Sequence, residues 1–100
     1  MTVYAVATIK IKNRAEYDKY SDRFMDVFSK FKGKLLAADF GAKAVMGEWN
    51  GDRLVIVEFP NASDFKDWAT SPEYLEIAKH RIAGADVSTV LAEALPAGAL

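Results

Sequence analysis

Along this chain the spacing of apolar positions switches repeatedly between two and roughly four, and each switch marks a change of element. Thr2 to Ile11 alternates, with Val3, Ala5, Ala7, Ile9 and Ile11 on one face and Tyr4, Val6, Thr8 and Lys10 on the other. That is the period of a strand with one wholly apolar face and one mixed face. Asn13, with Glu16 three residues on, has the spacing of a capping box. The helix it opens places Tyr17, Tyr20, Phe24, Val27, Phe28 and Phe31 on one stripe and is predicted to end at Gly33 as a left-handed cap. Lys34 to Phe40 reads as a second strand. Ala44 to Trp49 (AVMGEW) reads as extended structure leading through Asn50-Gly51-Asp52, a hairpin turn signal, into the next strand.

The most apolar stretch follows. Leu54, Val55, Ile56, Val57 and Phe59 predict a central strand, interrupted by Glu58 and ended by Pro60, which has no amide proton to give a ladder. Asn61 is placed as an N-cap, with Asp64 in the first turn and Phe65, Trp68 and Ala69 on one helical face. Ser71-Pro72-Glu73 restarts a helix whose stripe is predicted to continue through Tyr74, Leu75, Ala78 and Ile82 to a stop at Gly84. Asp86 to Glu93 alternates again and reads as a last strand. Phe59 and Trp68 fall where strand and helix meet and are predicted to be core residues, not ligand contacts.

This order predicts an α+β fold, a ferredoxin-like sandwich with a four-stranded antiparallel sheet and helices on one face. The other face carries Tyr4, Val6, Leu54 and Ile56. It is too apolar to leave wet, so a face-to-face homodimer is predicted. At 100 residues, 51% of them apolar, the chain suits a single domain over residues 1–95, with residues 96–100 as a C-terminal tail.

Charge narrows the partners. Thirteen basic against 14 acidic residues leave no footprint for nucleic acid or an anionic membrane, and no apolar run approaches spanning length. The absence of cysteine excludes disulfides and thiol chemistry. With no signal-peptide pattern at the start, a cytoplasmic location is expected.

The segments VMGEW and VEFPNASDFKDWATSPEYLEIAKHR, with RAEYDKY upstream, resemble the bacterial domain-of-unknown-function family numbered 1330, over Val3 to Glu93. The resemblance is most specific at Glu58-Phe59-Pro60, with Trp68, Ser71, Pro72, Tyr74 and Arg81 at the family's spacing. It implies membership of the dimeric α/β barrel superfamily, whose ferredoxin-like protomers pack sheet against sheet. It implies no reaction. Asp39-Phe40-Gly41-Ala42 stands where family members often carry an arginine followed by glycines, so an anion-binding role for that loop does not carry over.

No phosphate loop, dinucleotide turn, nucleophile elbow or paired-histidine spacing is present, and neither a cofactor nor a metal is expected. The candidate catalytic residues are Glu58 and His80. Glu58 shares a strand face with Leu54 and Ile56 and is expected to point into the barrel interior, where burial would raise its pKa, or to form an ion pair with Arg81 or Arg53. His80 and Arg81 are adjacent on a helix and diverge by about 100 degrees, so one of them at most faces a shared pocket. A binding set of Glu58, Arg81, His80, Tyr4, Trp49 and Asp39 is therefore predicted. Three readings follow: a homodimer binding a small organic molecule between sheet and helices, a cofactor-independent monooxygenase or isomerase, and a non-catalytic structural or interaction module.

Overall fold

The computed structural model describes residues 1–98; Ala99 and Leu100, part of the predicted tail, lie outside the described residues. The chain runs β1 (Val3–Ile11), α1 (Arg14–Phe28), β2 (Lys34–Asp39), β3 (Arg53–Phe59), α2 (Ala62–Ala69), α3 (Pro72–Gly84) and β4 (Ala85–Glu93). The strands form one sheet in the order β2-β3-β1-β4, every neighbouring pair antiparallel, which is the ferredoxin-like arrangement predicted from the sequence.

The register sorts the side chains. Val3, Ala5 and Ile9 of β1 stand opposite Phe59, Val57 and Arg53 of β3, and these residues face the helices. Tyr4, Val6 and Thr8 stand opposite Glu58, Ile56 and Leu54 on the other face, which no helix covers. The core lies between sheet and helices and is unusually aromatic. Phe59 is fully buried, with its ring 5.6 Å from the stacked Trp68 indole and edge-on to Phe28 at 5.7 Å and Phe65 at 5.6 Å.

The helix starts follow their caps. Asn13 Oδ1 accepts from Glu16 N (3.1 Å), Asn61 Oδ1 from Asp64 N (2.8 Å) and Ser71 Oγ from Tyr74 N (3.1 Å). Ser71 Oγ also donates to Trp68 O at 2.9 Å, which joins the end of α2 to the start of α3. Gly84 is needed for close approach. Its carbonyl accepts from Lys12 N (2.9 Å) and Asn13 N (3.0 Å), and a Cβ there would strike the Tyr17 backbone.

Three expectations about local structure are corrected. Helix α1 ends at Phe28 with Ser29 as its cap, and Gly33 has no left-handed φ; its lack of a side chain instead makes room for the Phe28 and Phe59 rings. The AVMGEW stretch is not a strand. Residues 40–52 form a long irregular connection between β2 and β3, in which Val45 is 99% and Met46 92% exposed, because no strand edge lies beside them to complete a ladder. On α3 the buried positions are Tyr74, Ile77 and Ala78, while Leu75 and Ile82 face out. The stripe is thus rotated from the predicted one. Among the described residues no helix is long and apolar enough to cross a membrane.

Candidate functional site

A cavity of about 310 Å³ lies between the sheet and the helices. Its floor is the helix-facing series of the strands, including Ala5, Ala7, Val55 and Val57, small and β-branched side chains that leave space above the sheet. Its roof is aromatic, with Tyr17, Tyr20 and Phe24 from α1, Phe65 and Trp68 from α2, and Tyr74 from α3. These rings are held by one another. Trp68 lies 4.3 Å from Tyr74 and 5.9 Å from Phe24, centroid to centroid.

Polar groups enter this wall at a few points. The Tyr20 and Tyr74 hydroxyls are 3.0 Å apart in a buried hydrogen bond. Burial, with the Tyr74 hydroxyl second, pushes the Tyr20 phenol well above its ordinary 10.0, while the Arg81 charge pulls it partly back. Tyr20 therefore stays protonated and acts as a hydrogen-bonding group, not a base. Arg53, at the start of β3, donates from Nη1 to Tyr17 Oη (3.0 Å) and Ser21 Oγ (3.2 Å), and its guanidinium lies 4.6 Å from the centre of the Phe40 ring. Arg81 enters from the last turn of α3 because it continues the buried Tyr74, Ile77, Ala78 spacing.

Three buried side-chain nitrogens among the described residues have no hydrogen-bond partner: Arg53 Nε, Trp68 Nε1 and Arg81 Nε. All three belong to side chains lining this one cavity. A buried donor without an acceptor is costly, and all three such donors fall on side chains of this one wall.

Of the residues singled out in the sequence, the structure brings only Arg81 to the cavity. Glu58 stands on the opposite face of the sheet, across from Tyr4 on one side and Lys34 on the other. The expected pairing of Glu58 with Arg81 or Arg53 is corrected: strand alternation puts the carboxylate on the open face and both guanidiniums on the helix side. Asp39 is also on the open face, paired with Leu54, and its Oδ1 accepts from Gly41 N at 2.6 Å. Trp49 belongs to the 40–52 connection, packed over Gly51 beside Thr8.

His80 is away from the cavity. Its Nδ1 lies 2.6 Å from Glu16 Oε1, a half-buried link between α3 and α1. The His80 hydrogen bond first, and Lys19 second, hold the Glu16 carboxyl below its usual range. As the angular argument required, His80 and Arg81 diverge. Trp68 is both core and cavity wall, 6% exposed yet lining the space, whereas Phe59 is core alone. Sequence reasoning missed Arg53, Tyr17, Tyr20 and Tyr74 as lining residues. The available signal was the odd-numbered series of β3, which carries Arg53 onto the same face as Val55, Val57 and Phe59.

Comparison with known proteins places the fold. A solved protein of unknown function from Rhodopseudomonas palustris is 19% identical, covering 95% of this chain and 83% of that one with a TM-score of 0.80. SnoaB, a cofactor-independent oxygenase from Streptomyces nogalater, is 16% identical, covering 95% and 94% with a TM-score of 0.72. A dimeric ferredoxin-like protein of unknown function from Jannaschia sp. CCS1 is 11% identical, covering 94% and 100% with a TM-score of 0.70. At these identities the likeness is one of fold. No curated protein matches the chain. The family model for a domain of unknown function, DUF1330, matches residues 2–95, and the chain belongs to that family.

Proposed function

We propose that this protein binds a small, flat organic molecule in the cavity between sheet and helices, and that it works as a homodimer closed through the open sheet face. The observation that carries the binding reading is an aromatic-walled cavity lined by two arginines that have no carboxylate partner among the described residues. The aromatic roof favours a planar ligand, and the donors favour one bearing acceptor atoms. Native mass spectrometry of the protein as purified tests it. A retained organic molecule, lost on Trp68→Ala, is expected. Protein that neither retains a small molecule nor takes one up from an aromatic-compound panel would refute the reading.

The dimer rests on the open face. Tyr4, Val6, Leu54 and Ile56 are half-buried there although no helix lies above them, and Val90 of β4 is 62% exposed opposite Val6. Solved relatives of the same fold include dimeric proteins. In such a dimer Glu58, Lys34 and Asp39 stand on the contact face.

A second reading, cofactor-independent oxygenation or isomerisation, is favoured by the Tyr20–Tyr74 hydroxyl pair in the cavity wall, which can hold a proton beside an electron-rich ring. Binding ranks first because no carboxylate or histidine is among the lining side chains, so no ordinary general base faces the ligand. Dioxygen uptake with an electron-rich phenol separates the two.

A further inference from the structure

The charged side chains lining the cavity are Arg53 and Arg81, and neither forms an ion pair among the described residues. In a chain whose net charge is −1, two permanent cations therefore share one largely apolar space with no anion to offset them. Burying uncompensated charge is expensive, and a bound anion is the direct way to offset it.

The two arginines approach the same end. Arg53 stands opposite Ile9, and Ile9 opposite Val87, in one row across the sheet, and all three line the cavity. Arg81 arrives from the last turn of α3, which passes into β4 at Ala85, two residues before Val87. Trp68 marks the other end. It stacks on Phe59, which stands opposite Val3 at the far side of the same strand pair. The cavity is thus cationic at one end and aromatic at the other.

We infer that the ligand is an aromatic carboxylic acid, its carboxylate held by Arg53 and Arg81 and its ring against Phe24 and Trp68. This rests on the cavity being the binding site. Arginine suits the task because its planar fork matches a carboxylate. Arg53 already spends Nη1 on Tyr17 and Ser21, which fixes the guanidinium in place.

Calorimetric titration with 1-hydroxy-2-naphthoate and with 1-hydroxy-2-naphthamide, the same ring without the charge, tests the inference. The acid should bind at least about tenfold more tightly than the amide, the weight of one charged hydrogen bond. Arg81→Met should weaken the acid by about tenfold to a hundredfold and erase the difference. Lys79→Gln, which removes an equal charge from the outer surface of α3, should preserve it. Equal affinities, or a preference for the acid that survives both Arg81→Met and Arg53→Met, would overturn the inference while leaving the binding site in place. If neither compound binds, and the purified protein releases no small molecule in the mass spectrometer, inference and binding site fall together.

Discussion

Arg81→Met should make the ligand-free protein more stable and the ligand-treated protein less stable than the parent. In the free protein Arg81 is half-buried, its Nε has no partner and its guanidinium has no carboxylate within ion-pair distance. Leaving such a donor unsatisfied costs on the order of 1–3 kcal/mol, to be discounted because part of the side chain reaches solvent. Against this, a cation in the last turn of a helix is favoured by about 0.3–1 kcal/mol through the dipole. Methionine keeps most of the aliphatic reach, so packing along the cavity wall changes little. The balance is a gain of about 0.5–2 kcal/mol, or roughly 2–10 °C in Tm for a domain of this size. Urea melts at fixed protein concentration measure it. An aromatic acid at a hundred times the parent's Kd should then add about 2.7 kcal/mol to the parent and only about 0.4 kcal/mol to a variant that binds it a hundredfold more weakly, reversing their order. A loss above about 1 kcal/mol in the ligand-free variant would refute the reasoning, because Arg81 would then hold the fold together and would not be waiting for a ligand.

Phe59→Ala should cost about 3–5 kcal/mol in the same assay, since the ring is fully buried among Phe28, Phe65 and Trp68; a loss below about 1 kcal/mol would mean the β3 register is wrong. In sedimentation equilibrium the parent should be a dimer at micromolar concentration and Ile56→Asp monomeric or unfolded, and a monomeric parent would sink the dimer. Because Tyr20 titrates well above 10.0 when folded, its contribution to stability is complete below about pH 10 and is lost as pH rises from there towards the folded value. Tyr20→Phe should flatten that alkaline decline while costing about 1 kcal/mol at neutral pH for the Tyr74 hydrogen bond, and an unchanged decline would remove Tyr20 as its source. Glu58→Gln should leave ligand affinity unaltered; a tenfold loss would mean that the carboxylate reaches the cavity side.

The fold was legible because its determinants are local and redundant. Period-2 alternation in β1 and β4, the capping side chains of Asn13, Asn61 and Ser71, and the proline after Phe59 each act within a few residues and agree with one another. The AVMGEW stretch misled for the opposite reason. Its composition suits a strand, but a strand exists only beside a partner, and none lies next to Val45 and Met46. The cavity was hidden in the choice of helical stripe. Leu75 and Ile82 are far more apolar than Arg81, so composition favours a stripe through them; packing selects Tyr74, Ile77, Ala78 and, one turn on, Arg81. A helix that turns a leucine and an isoleucine outward while drawing an arginine inward contradicts the rule that locates cores, and such contradictions concentrate where a protein meets something else.

The same alternation that separated Glu58 from Arg81 also separates the two proposed contacts. Along β3, Arg53, Val55 and Val57 line the cavity, while Leu54, Ile56 and Glu58 face the open side. A single strand thus reads out both surfaces at consecutive residues, and a one-residue slip would exchange the guanidinium for a leucine in the cavity and set an arginine on the apolar face. The bulge at Leu36 shows how the edge strand keeps this assignment. By adding a residue between Leu35, paired with Val57, and Ala37, paired with Ile56, it leaves Leu35 and Ala38 on the cavity side and Ala37 and Asp39 on the open side. The proposed binding and assembly surfaces are therefore linked through the backbone of the sheet, not through shared side chains. Substitutions on one face should be nearly additive in stability with those on the other, unless they move the strand itself.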